Sequence, residues 1–342
     1  MVLNFRRGSA FANKKAREWL KDKKPEDIKN IAVIRHAAIG DFMNIRPFLI
    51  ELKEFFPNAK VTISLLANAK YGYPKDLVDE VHIIDKVDPN DKSKKTSFFK
   101  RFKQIKELPH QDIIFDLTDS SLTMQMLLFC DASIKIGYPY RALRRLACDI
   151  ATLRSDFLVE ARSILQMLEI LGAKTSKDLR YGYEKKYPKN LKKQIVYFAG
   201  ASMDKKCWDK VKFKELIDRL SKEYSDYKHI ILQGIRDDEK FLEIYEPLKD
   251  RDNIVLQETL PLDEVMQFLS DSALLVSNDT GVRNMAIATG TPTIGIFFMI
   301  PPYRYWPREE KHDCVFNYQY TQPEVDEVYE ASKNMIEKLY EK

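Results

Sequence analysis

Short β-branched runs alternate with amphipathic helical stretches in two series along this chain, and a polar, lysine-rich segment separates the series. In the first series, residues 31–34 (IAVI), 61–66 (VTISLL), 81–84, 112–115 and 134–136 read as strands. They are too short for buried helices, and their near-continuous apolar character suits a parallel sheet covered on both faces. Phe42, Ile45, Leu49, Leu52 and Phe56 recur at helical spacing and predict a helix from Phe42 to Pro57, and 160–171 predicts another that stops at Gly172. The second series places strands at 195–198, 230–232, 254–256, 273–276 and 293–297. Helices are expected between them at 208–224, 237–248, 262–269 and 283–289, with a terminal one at 325–340.

A βα alternation with right-handed crossovers gives doubly wound sheets. The expected fold class is therefore α/β, with two Rossmann-like doubly wound domains facing across a cleft. The expected boundaries are a basic N-terminal extension at 1–30, a first domain at 31–173, a linker at 174–193, a second domain at 194–321 and a C-terminal helix at 322–342. A length of 342 residues suits two such cores better than one. No strand-to-helix turn carries G-x-G-x-x-G, which argues against a nicotinamide or flavin enzyme.

No run approaches the ~20 apolar residues of a membrane span, and residues 1–30 lack the apolar core of a signal peptide, so a cytoplasmic protein is expected. Four scattered cysteines argue against a disulfide framework or a thiolate zinc site, and no metal centre is expected. The net charge of +5 comes without a basic stripe of the kind that reads nucleic acid. Two segments concentrate cations around aromatic rings. Arg6, Arg7, Lys14, Lys15, Arg17, Lys21, Lys23 and Lys24 surround Phe5, Phe11 and Trp19, and Lys92 to Lys106 encloses Phe98, Phe99 and Phe102. Either the first segment contacts an anionic membrane surface or it packs its rings on the domain. The second reads as a surface helix that can also lie on lipid.

The turns at the carboxyl edges of the strands carry the chemistry. RHAAIGD at 35–41 sets Arg35, His36 and Asp41 around Gly40, and either Gly40 makes a tight turn that projects Asp41 or Asp41 caps the helix expected at Phe42. Asn278, Asp279, Thr280 and Gly281 lead from a strand into a helix, whose N-terminus suits phosphate, although Asp279 or Thr280 can equally be a plain cap. Gly200 to Trp208 (GASMDKKCW) offers Ser202, Lys205 and Lys206 at another edge. DLTDSSLT at 116–123 either lines a pocket or caps a helix through Asp119 or Ser120, and the aromatic loop 299–307 either touches a ligand or seals the interdomain surface.

Taken together, RHAAIGD with the following helix, KKCW, and NDTGVRNMAIATGTPTIGIF resemble glycosyltransferase family nine, the heptosyltransferases of lipopolysaccharide core synthesis, in order and spacing from about residue 31 to 297. The resemblance implies a GT-B fold and inverting, metal-independent transfer from a nucleotide-diphosphate sugar, with ADP-heptose as first guess, to a lipid-linked oligosaccharide. It implies no cofactor and a position at the cytoplasmic face of a Gram-negative inner membrane. By motif position it makes Asp41 the general base and assigns Ser202, Lys206, Asp279, Thr280 and Gly281 to the donor, with Asn284 beside them; next to Asp41, Arg35, His36 and Asp119 are the acceptor-side candidates, His36 being equally a polar residue at a strand end. Two positions depart from the pattern. Asn284 stands where the family has a histidine, and Arg236, Asp237 and Asp238 fall where a glutamate near the nucleotide is expected. A sugar-nucleotide epimerase or hydrolase of the same fold, or a non-catalytic nucleotide- or glycan-binding relative, is the alternative.

Overall fold

The computed structural model describes residues 1, 10–87, 93–138 and 146–341. The chain divides into two compact units, Met1–Tyr181 and Gly182–Lys342, inside the polar stretch 174–193.

Among the described residues, the first unit contains strands β1 (Ala10–Ala12), β2 (Asn30–Ile34), β3 (Lys60–Leu66), β4 (Glu80–Ile84), β5 (Gln111–Asp116), β6 (Ala132–Gly137) and β7 (Ile150–Thr152). Its helices are α1 (Lys14–Lys21), α2 (Ile39–Phe55), α3 (Phe98–Glu107), α4 (Ser121–Phe129) and α5 (Glu160–Glu169). The strands form one sheet in the order β1-β7-β6-β5-β2-β3-β4, parallel except where β1 joins the edge of β7. Ile31 to Ile34 of β2 are all fully buried, as a central parallel strand requires.

The expected apolar face of α2 is also buried, with Phe42, Ile45, Leu49 and Leu52 at 0% exposure. The helix nevertheless begins three residues before Phe42, at Ile39, and its N-cap Ala38 makes no side-chain cap bond. Gly40 is therefore helical and makes no tight turn, and Asp41 lies in the first turn of α2 rather than at its cap.

The basic N-terminal extension is built into this unit. Residues 10–12 pair with β7, α1 buries Ala16 and Leu20, and Lys23 sits over the Trp19 ring at 5.3 Å. Phe5, Arg6, Arg7 and Lys92 lie outside the described residues.

In the second unit, β8 (Lys192–Phe198), β9 (Lys228–Leu232), β10 (Ile254–Gln257), β11 (Ser272–Asn278), β12 (Thr293–Phe297) and β13 (His312–Phe316) form a parallel sheet in the order β10-β9-β8-β11-β12-β13. Helices α6 (Lys210–Glu223), α7 (Leu242–Tyr245), α8 (Leu262–Ser270), α9 (Gly281–Ala288) and α10 (Val325–Tyr340) cover it. The single helix expected at 237–248 is broken. Phe241 takes a left-handed conformation (φ 54°), which interrupts the chain before the four-residue α7, and Pro247 sits in the 3-10 turn that follows. Helix α9 starts at Gly281, not at Arg283, so Arg283 is a buried residue of its first turn. Trp208 is fully buried, and its indole N–H donates to the Pro323 carbonyl at 2.9 Å, tying the entry of α10 to the start of α6. The four cysteines are free.

Candidate functional site

In the second sheet the order of the strands reverses between β8 and β11. Strand β8 crosses to β9 on one side, and β11 crosses to β12 on the other, while β8 and β11 themselves are parallel neighbours. Open α/β sheets bind ligands outside the carboxyl ends of such a pair. The two turns that leave it are the ones carrying GASMDKKCW and NDTG, and they are bonded to each other. Asn278 donates to the Ala199 carbonyl at 2.7 Å and accepts the Trp208 N–H at 3.0 Å. Lys206 Nζ meets Asp279 Oδ2 at 2.7 Å, with both side chains slightly open to water (16% and 15%). Asp279 is thus the counterion of Lys206 rather than a helix cap. Thr280 holds the N-cap position of α9 without a side-chain cap bond, which leaves the first-turn amides and the positive end of the helix dipole at the same edge. Ser202 lies on the exposed limb of the first loop, and Asn284 is half-buried one turn into α9.

A carboxylate that the sequence motifs did not point to also lies at this edge. A Cβ placed on Gly234, just beyond β9, would come within 2.7 Å of the Cβ and Cδ of Glu239, and one on Gly200, just beyond β8, within 2.7 Å of its Oε1. The two glycines therefore make room for Glu239, which Arg236 holds through Nη2 at 3.3 Å. Its signal in the sequence was the pair of glycines following adjacent strands, not its distance from a motif.

The first sheet repeats the reversal between β2 and β5, since β2 crosses to β3 and β5 to β6. The turns are again stitched together: the Leu117 N–H donates to the Ile34 carbonyl at 3.0 Å and the His36 N–H to Thr118 Oγ1 at 2.8 Å. Arg35 is buried here. Its Nη2 meets Asp41 Oδ1 at 3.2 Å, and its Nη1 meets Glu160 Oε1 at 3.4 Å and bonds the Leu117 carbonyl. Glu160, exposed by only 1%, is in turn paired with Arg154. Two guanidinium groups thus balance two carboxylates, and Asp41, at 32% exposure, is the most open of the four. The cluster fixes a carboxylate in place while leaving it within reach of a ligand. Arg35 is a positioning group here, and Glu160 and Arg154 were not singled out in the sequence.

His36 is buried and joins a chain of hydrogen bonds whose direction follows from its far end. His82 Nε2 lies 2.8 Å from the Gln104 carbonyl and must donate, so His82 Nδ1 accepts from Ser64 Oγ at 3.0 Å. Ser64 Oγ then accepts from His36 Nε2 at 3.3 Å, leaving His36 Nδ1 as a buried acceptor. Burial drives the His36 pKa down to about 3 and lowers that of His82, so both rings are neutral. Asp116, fully enclosed, has its pKa raised by the same loss of solvent and accepts the Thr118 and Asp119 N–H groups at 2.9 and 3.2 Å. Ser120, not Asp119, caps α4, and Asp119 occupies the left-handed region at φ 57°. The aromatic loop folds onto its own unit, where Tyr305 O accepts from Arg283 Nη1 at 2.6 Å and Trp306 Nε1 donates to His312 O at 2.8 Å. No cluster of metal-ligating side chains occurs among the described residues.

Two α/β units, each with its polar turns where the strand order reverses, have the fold of the GT-B heptosyltransferases. A profile of glycosyltransferase family 9 (heptosyltransferase) matches residues 101–334, and the chain belongs to that family. Lipopolysaccharide heptosyltransferase 1 of Campylobacter coli is 30% identical over 115 residues, a match covering 33% of this chain and 34% of that relative's length. The E. coli heptosyltransferase WaaC with ADP superposes with a TM-score of 0.71 at 15% identity, covering 90% of this chain and 99% of the other. The E. coli ADP-heptose lipopolysaccharide heptosyltransferase II gives 0.67 at 16% identity, with coverage of 90% and 99%.

Proposed function

We propose that this protein is an inverting, metal-independent glycosyltransferase that moves heptose from ADP-heptose to a lipopolysaccharide core or a related lipid-linked glycan at the cytoplasmic face of the inner membrane. The observation that carries the reading is that the family's motif residues come together at the reversal point of each sheet: Asp41 held by Arg35 in the first, Lys206 held against Asp279 at the start of α9 in the second. Family membership and the relatives named for heptose transfer and for ADP support the choice of sugar and base.

The acceptor hydroxyl attacks the anomeric carbon on the face opposite the diphosphate. As that C–O bond forms, Asp41 takes the hydroxyl proton, and the bond from the anomeric carbon to the diphosphate oxygen breaks with its electron pair leaving on the diphosphate. Lys206 and the first-turn amides of α9, through Gly281, stabilise that charge, the task a metal performs in other transferases. Ser202 and Thr280 add hydroxyl donors. Glu239 supplies the glutamate near the nucleotide that the family pattern calls for and that residues 236–238 lack. Arg35 orients the base, and Asp119 and His36, on the turns that leave the same pair of strands, complete the acceptor side.

The test is Asp41→Asn in an assay following release of ADP from ADP-heptose. Transfer falls about 10²–10⁴-fold while ADP affinity and melting temperature hold, and wild-type transfer persists in EDTA. Near-normal transfer by the variant rejects Asp41 as the base, and failure of ADP to raise the melting temperature at millimolar concentration rejects the donor reading.

A further inference from the structure

Residues 93–107 carry six lysine and arginine side chains and one carboxylate, a net of +5 in one short segment that equals the formal charge of all 342 residues. The segment folds as helix α3, capped by Ser97, with Ile105 buried against the core. Its large rings point the other way. Phe98, Phe99 and Phe102 are 45%, 83% and 36% exposed, and Leu128 at the end of α4 is 47% exposed. Phe98 and Phe102 pack edge-on against Phe129 of α4 at 5.8 and 5.3 Å, so the apolar surface runs on from one helix to the next. It borders an open hollow of about 700 Å³ lined by Phe102, Lys106, Leu128 and Phe129 among others. Acidic groups do little to offset the cations: Asp85 pairs with Lys100 at 3.1 Å, and Asp131 at the rim is engaged by His110 at 3.1 Å.

Exposed phenylalanines are disfavoured in water, and a soluble surface has no use for them inside a ring of like charges. Both features are favourable at an interface where rings enter the headgroup layer and lysines meet anionic phosphates. Phe98 and Phe102 are turned edge-on to Phe129, so only Phe99 offers an open face of the kind on which unpaired bases stack. We infer that the α3–α4 face, and not the N-terminal extension, docks this protein on an anionic lipid bilayer. This goes beyond the donor and acceptor assignments, and it is tested without nucleotide or sugar, so either can fail while the other stands.

The full chain is sedimented with vesicles of phosphatidylcholine alone and with vesicles also containing phosphatidylglycerol. Binding is expected only to the anionic vesicles and weakens as salt shortens the screening length from about 10 Å at 0.1 M to about 3 Å at 1 M. Lys103→Gln with Lys106→Gln lowers the partition coefficient roughly thirty-fold, at about a fivefold loss per lysine. Phe99→Ser, at a position too exposed to upset folding, lowers it about tenfold. The same two-charge change on α1, Lys14→Gln with Lys21→Gln, lowers it less than about threefold. The inference is overturned if the wild type stays in the supernatant, which would point to a protein partner, if the α1 pair matches the α3 pair, or if Phe99→Ser binds as the wild type does.

Discussion

On the proposed donor reading Lys206 has two roles that a single substitution confounds, and a double variant separates them. Its ammonium meets Asp279 at 2.7 Å, so Lys206→Ala both removes a cation aimed at the diphosphate and unmasks a carboxylate beside it. Losing one charge-assisted hydrogen bond costs about 1.5–3 kcal/mol, which by itself weakens ADP roughly 10- to 150-fold. The unmasked carboxylate adds to this: two unit charges 4 Å apart interact by about 4 kcal/mol near a protein surface, and water screens part of that here. Because some 15% of each partner's surface meets water, the loss of folding stability stays well below the ~3–5 kcal/mol of a broken, fully buried pair. The assay is titration calorimetry with ADP on Lys206→Ala, Asp279→Ala and the double variant, with melting temperatures alongside. Lys206→Ala is expected to bind ADP at least tenfold more weakly, and the double variant to recover no more than half of the lost binding free energy. Full recovery means that Lys206 only neutralises Asp279 and never touches the diphosphate. Unchanged affinity in Lys206→Ala refutes the assignment outright.

Acid should weaken the fold through its buried histidines. Burial lowers the pKa of His36 to about 3 and of His229 to about 4, and pushes those of His82 and His312 down as well, so below about 6.5 the unfolded chain takes up protons that the folded chain refuses. The stabilisation from His36 and His229 is complete above pH 6.5 and is lost toward pH 3–4. Between pH 7 and 5.5, His36 and His229 alone remove about 2.5 kcal/mol, so an unchanged urea midpoint would contradict the burial of these rings. Gly295→Ala should destabilise by about 1–3 kcal/mol, since its Cβ would come within 2.7 Å of the Phe297 ring and 2.5 Å of Arg283 Nε, whose guanidinium lies over that ring at 5.1 Å. Denaturation within 0.5 kcal/mol of the wild type would show that Arg283 can move aside.

The alternation of strands and helices was legible because strands covered on both faces run apolar along their middles, as Ile31–Ile34 and Ala273–Val276 are apolar and buried at every position. What escaped notice lies at the margins. Strands β1 and β7 have three residues each, too few for a period, and β13 interrupts its apolar run with Asp313 and Cys314. The start of α2 was misplaced because Ala38 carries no capping side chain, so the capping rule settled on the first eligible residue, Asp41. The ion pairs could not be read at all. Arg35 and Glu160 are 125 residues apart, Lys206 and Asp279 are 73 apart, and nothing local records either contact.

Both units use the same reversal of strand order, yet they hold opposite charges ready. In the first, the guanidinium of Arg35 is 4% exposed and the carboxylate of Asp41 32%, so burial fixes the cation and presents the anion. On the proposed mechanism the fixed buried cation aims the open carboxylate, so that it meets the acceptor hydroxyl in one orientation. In the second, ammonium and carboxylate are almost equally exposed, at 16% and 15%, and neither is locked beneath the surface. Such a pair is neutral while the site waits, and its lysine can turn from Asp279 to an arriving phosphate at little cost in desolvation. On the proposed mechanism, that difference in exposure accords with a proton taken in the first unit and a leaving group held in the second.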